Sequence, residues 1–145
     1  MNFDDFNTVV EECRANNPIL FGLEHDKTLS AEEIEQFEKM VRITLPEKYK
    51  KFIMSYGGGY FGYANIYSMD SDSDFYLLKH NDVPFENYIR IADNGCGDYY
   101  LFGIENGKCL ESLFLTDHDT GKIVCTQYED IFHYLIEVGL KKKPF

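Results

Sequence analysis

The sequence predicts an α+β domain, with N-terminal helices and one closing helix packed on an antiparallel sheet of about six strands. Two observations carry that prediction. Apolar residues recur at helical spacing up to Gly57 and again after Thr126. Between those points lie short aromatic and β-branched runs separated by turn residues. They follow one another too closely for parallel crossovers, which need about a dozen residues or more, so neighbouring strands must be antiparallel.

The elements read in order as follows. Phe6, Val9, Val10 and Cys13 repeat at i, i+3, i+4 and i+7, giving a helix over 4–15 that Asn16-Asn17-Pro18 ends. Ser30 and Glu33 match the S-x-x-E capping box. The helix after it turns Ile34, Phe37 and Val41 inward and Glu32, Glu33, Glu35 and Glu38 mainly outward. Pro46 opens a third helix, because its missing N–H would be unpaired there in any case. Tyr49, Phe52, Ile53 and Tyr56 form its apolar stripe, and Gly57 supplies the left-handed residue that closes it. Candidate strands are Tyr63–Ser68, Phe75–Lys79, Tyr88–Ala92, Tyr99–Ile104, Leu113–Thr116 and Lys122–Thr126. Thr126 and Glu129 form a second candidate capping box. The last helix places Tyr128, Ile131, Phe132 and Leu135 inward and runs to about Gly139, with Lys141, Lys142 and Lys143 past its negative end.

At 145 residues the chain is expected to form one domain over 1–145, a size that buries roughly 70% of its unfolded surface. Hydrophobic residues make up 44% and aromatic residues 16%, too apolar a composition for a disordered chain. No apolar run approaches the ~20 residues that span a bilayer, and the acidic Met1-Asn-Phe-Asp-Asp5 is the wrong opening for a signal peptide. A cytoplasmic protein is expected. Cys13, Cys96, Cys109 and Cys125 show neither a C-x-x-C pair nor zinc-finger spacing, so buried reduced thiols are expected and no metal site or cofactor is called for. Twenty-five acids against 14 bases leave a formal charge of −11, which disfavours nucleic acid and anionic membrane and favours basic protein partners.

Several stretches invite chemical readings. Gly57-Gly58-Gly59-Tyr60-Phe61-Gly62 matches G-x-G-x-x-G, but it follows a helix and leads into a strand, the reverse of a dinucleotide site. It reads as a helix cap and a tight entry into the sheet. Asp70, Asp72 and Asp74 supply the D-x-D-x-D of a calcium loop, yet Phe75 and Asn81 stand where an EF-hand needs glycine and glutamate, so a solvated turn is the simpler reading. Cys96 and His118, with Asp117 and Asp119 beside the histidine, are the residue types of a cysteine hydrolase. The strand order suggests loops at opposite ends of neighbouring strands, against that use. His25 and His80 are isolated, and His133 reads as a hydrogen-bonded, half-buried ring rather than a metal ligand.

Leu45-Pro46-Glu47-Lys48-Tyr49-Lys50-Lys51-Phe52-Ile53-Met54-Ser55-Tyr56-Gly57-Gly58-Gly59 resembles the core motif of the SUKH superfamily, the Smi1/Knr4 proteins. The likeness runs from about Ala31 to about Leu140. It includes Ile91-Ala92-Asp93-Asn94-Gly95-Cys96-Gly97-Asp98-Tyr99, similar to the family's strand-turn-strand, and Thr126–Leu135, which looks like its final helix. The absence of tryptophan departs from many members. The resemblance implies an α+β fold and a non-enzymatic function. Bacterial members are largely immunity proteins of polymorphic toxin systems; relatives in eukaryotes are scaffolds. It therefore implies a cognate toxin C-terminal domain, expected to be a basic nuclease, as partner, with a regulatory or scaffold module as the alternative. The residues expected to face that partner are Tyr60, Phe61, Tyr63 and Tyr99 with Asp93, Asp98, Asp117 and Asp119: aromatic anchors within an acidic rim. No catalytic, metal or cofactor residue is assigned, and the oligomeric state is left open.

Overall fold

The computed structural model describes residues 1–143. Helix α1 (Phe3–Asn16) starts where the Asn2 side chain accepts a hydrogen bond from the Asp5 N–H at 2.8 Å. A 3-10 turn, Pro18–Phe21, follows. Helix α2 (Ala31–Val41) has the expected box: the Ser30 hydroxyl accepts from the Glu33 N–H, and the Glu33 carboxylate accepts from the Ser30 N–H, both at 3.1 Å. Helix α3 (Glu47–Ser55) places Pro46 one position earlier than read, at the cap rather than inside the helix. Its first amides, Glu47 and Lys48, face the Glu111 carboxylate from the sheet, and burial pushes that carboxyl's pKa up. Lys48 also pairs with Asp130 at 2.7 Å, tying this helix end to the closing helix.

The sheet comprises β1 (Gly59–Phe61), β2 (Ala64–Ile66), β3 (Tyr88–Asp93), β4 (Tyr99–Glu105), β5 (Lys108–Thr116) and β6 (Ile123–Cys125). They lie in sequence order, every neighbour antiparallel. The α+β arrangement is the one expected, but two strands were assigned differently. Phe75–Lys79 is not a strand: Leu77–Lys79 is a 3-10 turn. Ser73 and Asp70 bend the chain there, the Ser73 hydroxyl accepting from the Phe75 N–H at 2.9 Å and the Asp70 carboxylate from the Asp72 N–H at 3.0 Å. Its place in the count is taken by β1, inside the glycine run. Helix α4 (Ile131–Tyr134) continues as a π-helical turn, Leu135–Gly139. The Thr126–Glu129 box does not form. The Thr126 hydroxyl donates to the Leu113 carbonyl at 2.7 Å instead, and Asp130 caps the helix by accepting from the His133 N–H at 2.8 Å.

One hydrophobic cluster joins the helices to one face of the sheet. Phe6 stacks on Phe132 with ring centroids 4.4 Å apart, and Phe52, Tyr56 and Phe61 pack around that pair. The fully buried Tyr49 donates its hydroxyl to the Tyr67 carbonyl at 2.7 Å, joining α3 to the sheet without an unpaired polar atom.

The glycine run is explained by backbone proximity. Segment 24–26 lies against it: the Asp26 N–H donates to the Gly58 carbonyl at 2.8 Å, and the Tyr60 N–H to the Glu24 carbonyl at 3.0 Å. A Cβ at Gly59 would stand 2.7 Å from the His25 Cα, and Gly57 and Gly59 have φ of +78° and +90°.

Candidate functional site

In an antiparallel sheet directly opposed residues share a face. The register therefore defines one row across all six strands: Tyr60, Asn65, Asp93, Tyr99, Thr116 and Ile123. This row lies on the face that the helices leave uncovered. A second row on the same face is Arg90, Leu101, Phe114 and Cys125. The Arg90 guanidinium sits 4.2 Å from the Tyr99 ring centroid, a cation–π contact. The Asn81 side chain brackets the Arg90 backbone, donating to its carbonyl at 3.0 Å and accepting from its N–H at 2.7 Å. That bracket holds segment 81–86 beside a solvent-open pocket of about 310 Å³ lined by Arg90, Leu101 and Thr116.

Meander order sends the β1–β2, β3–β4 and β5–β6 turns to one end of the sheet. Seven of the eight sequence-predicted residues gather there. Tyr60, Asp93 and Tyr99 lie in the terminal row of the open face, while Tyr63, Asp98, Asp117 and Asp119 occupy the three turns. Phe61 does not join them. Its strand partner is Ala64 on the opposite face, it is 5% exposed, and its place is in the aromatic core.

The two acidic turns are locked together. Asp98 Oδ1 accepts from the His118 backbone N–H at 2.9 Å and lies 2.5 Å from His118 Nδ1. Asp98 Oδ2 accepts from the Asn94 side-chain amide at 2.9 Å. These donors, the His118 backbone first, hold the Asp98 carboxyl down at about 2. The other ring nitrogen of His118 lies 3.2 Å from Asp119. Asp93 accepts from the Tyr67 hydroxyl at 2.7 Å and, within its own row, from the Asn65 amide at 3.1 Å. Burial, and then that bond to Asp93, push the Tyr67 phenol's pKa up.

Cys96 and His118 thus sit at the same end of the sheet, not at opposite ends. Even so, both ring nitrogens face carboxylates, and among the described residues the Cys96 thiol has no hydrogen-bond partner. Asp98, Asp117 and His118 each bring one ligand-type atom within 4.8 Å of the others, an arrangement the Asp98–His118 bonds already explain. Asp70, Asp72 and Asp74 form a largely solvated turn, and no donor set gathers around them among the described residues. His133 lies half-buried, 3.0 Å from Glu137, and His80 stacks on Tyr67 at 3.9 Å. Cys13 and Cys109 are buried, burial pushing the Cys109 thiol up to about 12, whereas Cys96 and Cys125 are exposed. The expectation of four buried thiols fails because those two lie in a turn and on the edge strand. No helix among the described residues is long and apolar enough to cross a membrane.

Arg90, Asn65, Thr116 and Ile123 were missed from sequence. Their signal is register, since each stands opposite or beside a residue already singled out, and register depends on strand ends that composition does not locate.

The model of the SMI1 / KNR4 family (SUKH-1) matches residues 28–135, from just before the Ser30 cap of α2 to the end of α4. The chain belongs to this family. A solved structure, described as a protein from Pseudomonas syringae pv. tomato, has the same fold: 19% identity over 94% of this chain and 99% of that one, TM-score 0.62. No curated protein matches the chain. As a SUKH-1 member it falls among domains that work by binding protein partners.

Proposed function

We propose that this SUKH-1 protein is an immunity protein that binds a cognate toxin domain in the cytosol and neutralises it, the toxin being a basic nuclease. The observation that carries the reading is that Asp93, Asp98, Asp117 and Asp119 share one end of the sheet with Tyr60, Tyr63 and Tyr99, in the turns and along the face that the helices leave uncovered. A nuclease must present cationic surface to phosphate, and a chain of net charge −11 is attracted to that surface. In this reading the acids accelerate encounter and the tyrosines supply desolvated contact area. Phe61, being core, has no part in it.

Co-expression with the toxin domain encoded beside this gene tests the proposal. Expected are cell survival and co-purification of the two chains; death of the cells with no complex overturns it. Charge reversal at both Asp117 and Asp119 should lower the association rate about tenfold at low salt, with the difference shrinking as salt rises. An association rate independent of salt would remove the electrostatic part of the reading.

A further inference from the structure

The two outer strands of the sheet differ in what their outward backbone groups meet. At β1 they are taken by segment 24–26, through the Asp26–Gly58 and Tyr60–Glu24 bonds. At β6, Leu115 opposes Val124, while the Asp117 N–H donates to the Lys122 carbonyl and the Thr126 N–H to the Leu113 carbonyl. The alternation of an antiparallel ladder then turns the N–H and C=O of Ile123 and Cys125 away from β5. Among the described residues nothing pairs with this edge. Its side chains are apolar and open, Ile123 and Val124 being 40% and 44% exposed, and it carries no proline, charge or bulge to block pairing.

We infer that β6 is a strand-addition site for an extended basic segment of a protein partner. The inference rests on the partner-binding reading above. Two observations select that occupant. Asp117 and Asp119 precede the strand and Glu129 follows it, against Lys122 as the sole lysine or arginine in that stretch, so cationic side chains beside the edge are matched. A second copy is mismatched: antiparallel pairing about Val124 would set Asp119 opposite Glu129, acid on acid, between chains of charge −11 each. The edge is also continuous with the open face, because Ile123 ends the row containing Tyr99 and Asp93 and borders the cavity over Arg90. An added strand would project alternate side chains over that cavity.

The test uses the intact protein and a seven-residue peptide of alternating lysine and valine, followed by amide hydrogen exchange. At saturating peptide, exchange at Ile123 and Cys125 should slow at least tenfold while Val124, already bonded to β5, changes less than twofold. The glutamate–valine counterpart should leave all three unchanged. Cys125→Pro removes one outward N–H on an edge where proline is tolerated and should abolish the Ile123 protection. The wild-type exchange map decides independently of that variant's folding. Absence of protection at Ile123 and Cys125, protection elsewhere only, equal effect of the acidic peptide, or a concentration-dependent dimer protecting the same amides each overturns the inference. Failure of the toxin co-expression experiment leaves this map unaffected, so the two readings fail separately.

Discussion

At the β1 edge the chain folds segment 24–26 back onto the glycine run and consumes the sheet's outward hydrogen bonds, whereas nothing among the described residues pairs with the β6 edge. The sealed edge uses residues with no side chain, packed so closely that backbone meets backbone. The open edge uses apolar side chains on a three-residue strand next to turns held by charge. The family's most distinctive sequence feature therefore closes one sheet edge to strand pairing, while Tyr60 within it keeps its side chain on the open face. The other residues suited to partner contact lie further along that face and in the turns. Conformation at the β1 edge is fixed by sterics, whereas the β6 edge presents exposed apolar side chains.

The largest expected effect follows from breaking the seal. Gly59→Ala sets a Cβ 2.7 Å from the His25 Cα at a φ of +90°, so either the strand or segment 24–26 must move. A loss of about 3 kcal/mol in denaturant unfolding is expected. Val124→Ala, on the open edge, should stay within about 0.5 kcal/mol. Equal effects at the two positions would erase the contrast between the edges.

A second, smaller effect comes from the side chain that anchors the sealing segment. Asp26 accepts from the Ser68 hydroxyl at 2.5 Å and the Ser73 hydroxyl at 2.6 Å, both serines being buried. Asp26→Ala leaves those hydroxyls without their acceptor and should cost about 2 kcal/mol. Amide exchange should quicken first at Asp26 and Tyr60, with β6 unaffected. Uniform loss of protection across the sheet would show instead that the seal has no local identity.

Asp26 also explains one limit of the sequence reading. Helices α1 to α3 were legible because their signals are local: periodic apolar residues, the Ser30–Glu33 box and the Gly57 stop. Phe75–Lys79 was misread because its composition suits a strand, while its conformation is set by Ser73 and Asp70 turning the chain toward a carboxylate far away in sequence. Strand β1 was missed for the same kind of reason, its backbone partner being segment 24–26. Thr126 matched a cap pattern, but its hydroxyl bonds to Leu113 across the sheet. At the site, the acids and tyrosines could be named as turn and strand residues. That Cys96 and His118 share one end follows from meander order, which sends alternate hairpin turns the same way, and that Phe61 faces inward follows from the register of a hairpin only three residues long per strand. Both are properties of pairing, which local composition does not encode.

The smallest expected effect sharpens the comparison at the charge-held end. Asp98 titrates at about 2 in the fold, against about 3.9 for an unperturbed aspartate. Because the folded value is depressed, the carboxylate's contribution to holding the β3–β4 and β5–β6 turns together is fully present above about pH 4. It is lost as pH falls through about 2. Carboxyl NMR should follow that titration, and the His118 amide, which donates to Asp98, should shift with it, while the Gly58 and Tyr60 amides at the sealed edge stay still. His118→Ala removes the ring but keeps the backbone donor, so the Asp98 midpoint should rise yet remain below 3.9. An unchanged midpoint in that variant would mean that the ring adds nothing and the backbone alone joins the turns. A midpoint at the ordinary value in the native protein would mean that the acidic turns move independently, and the surface proposed for the partner would then be assembled only on binding.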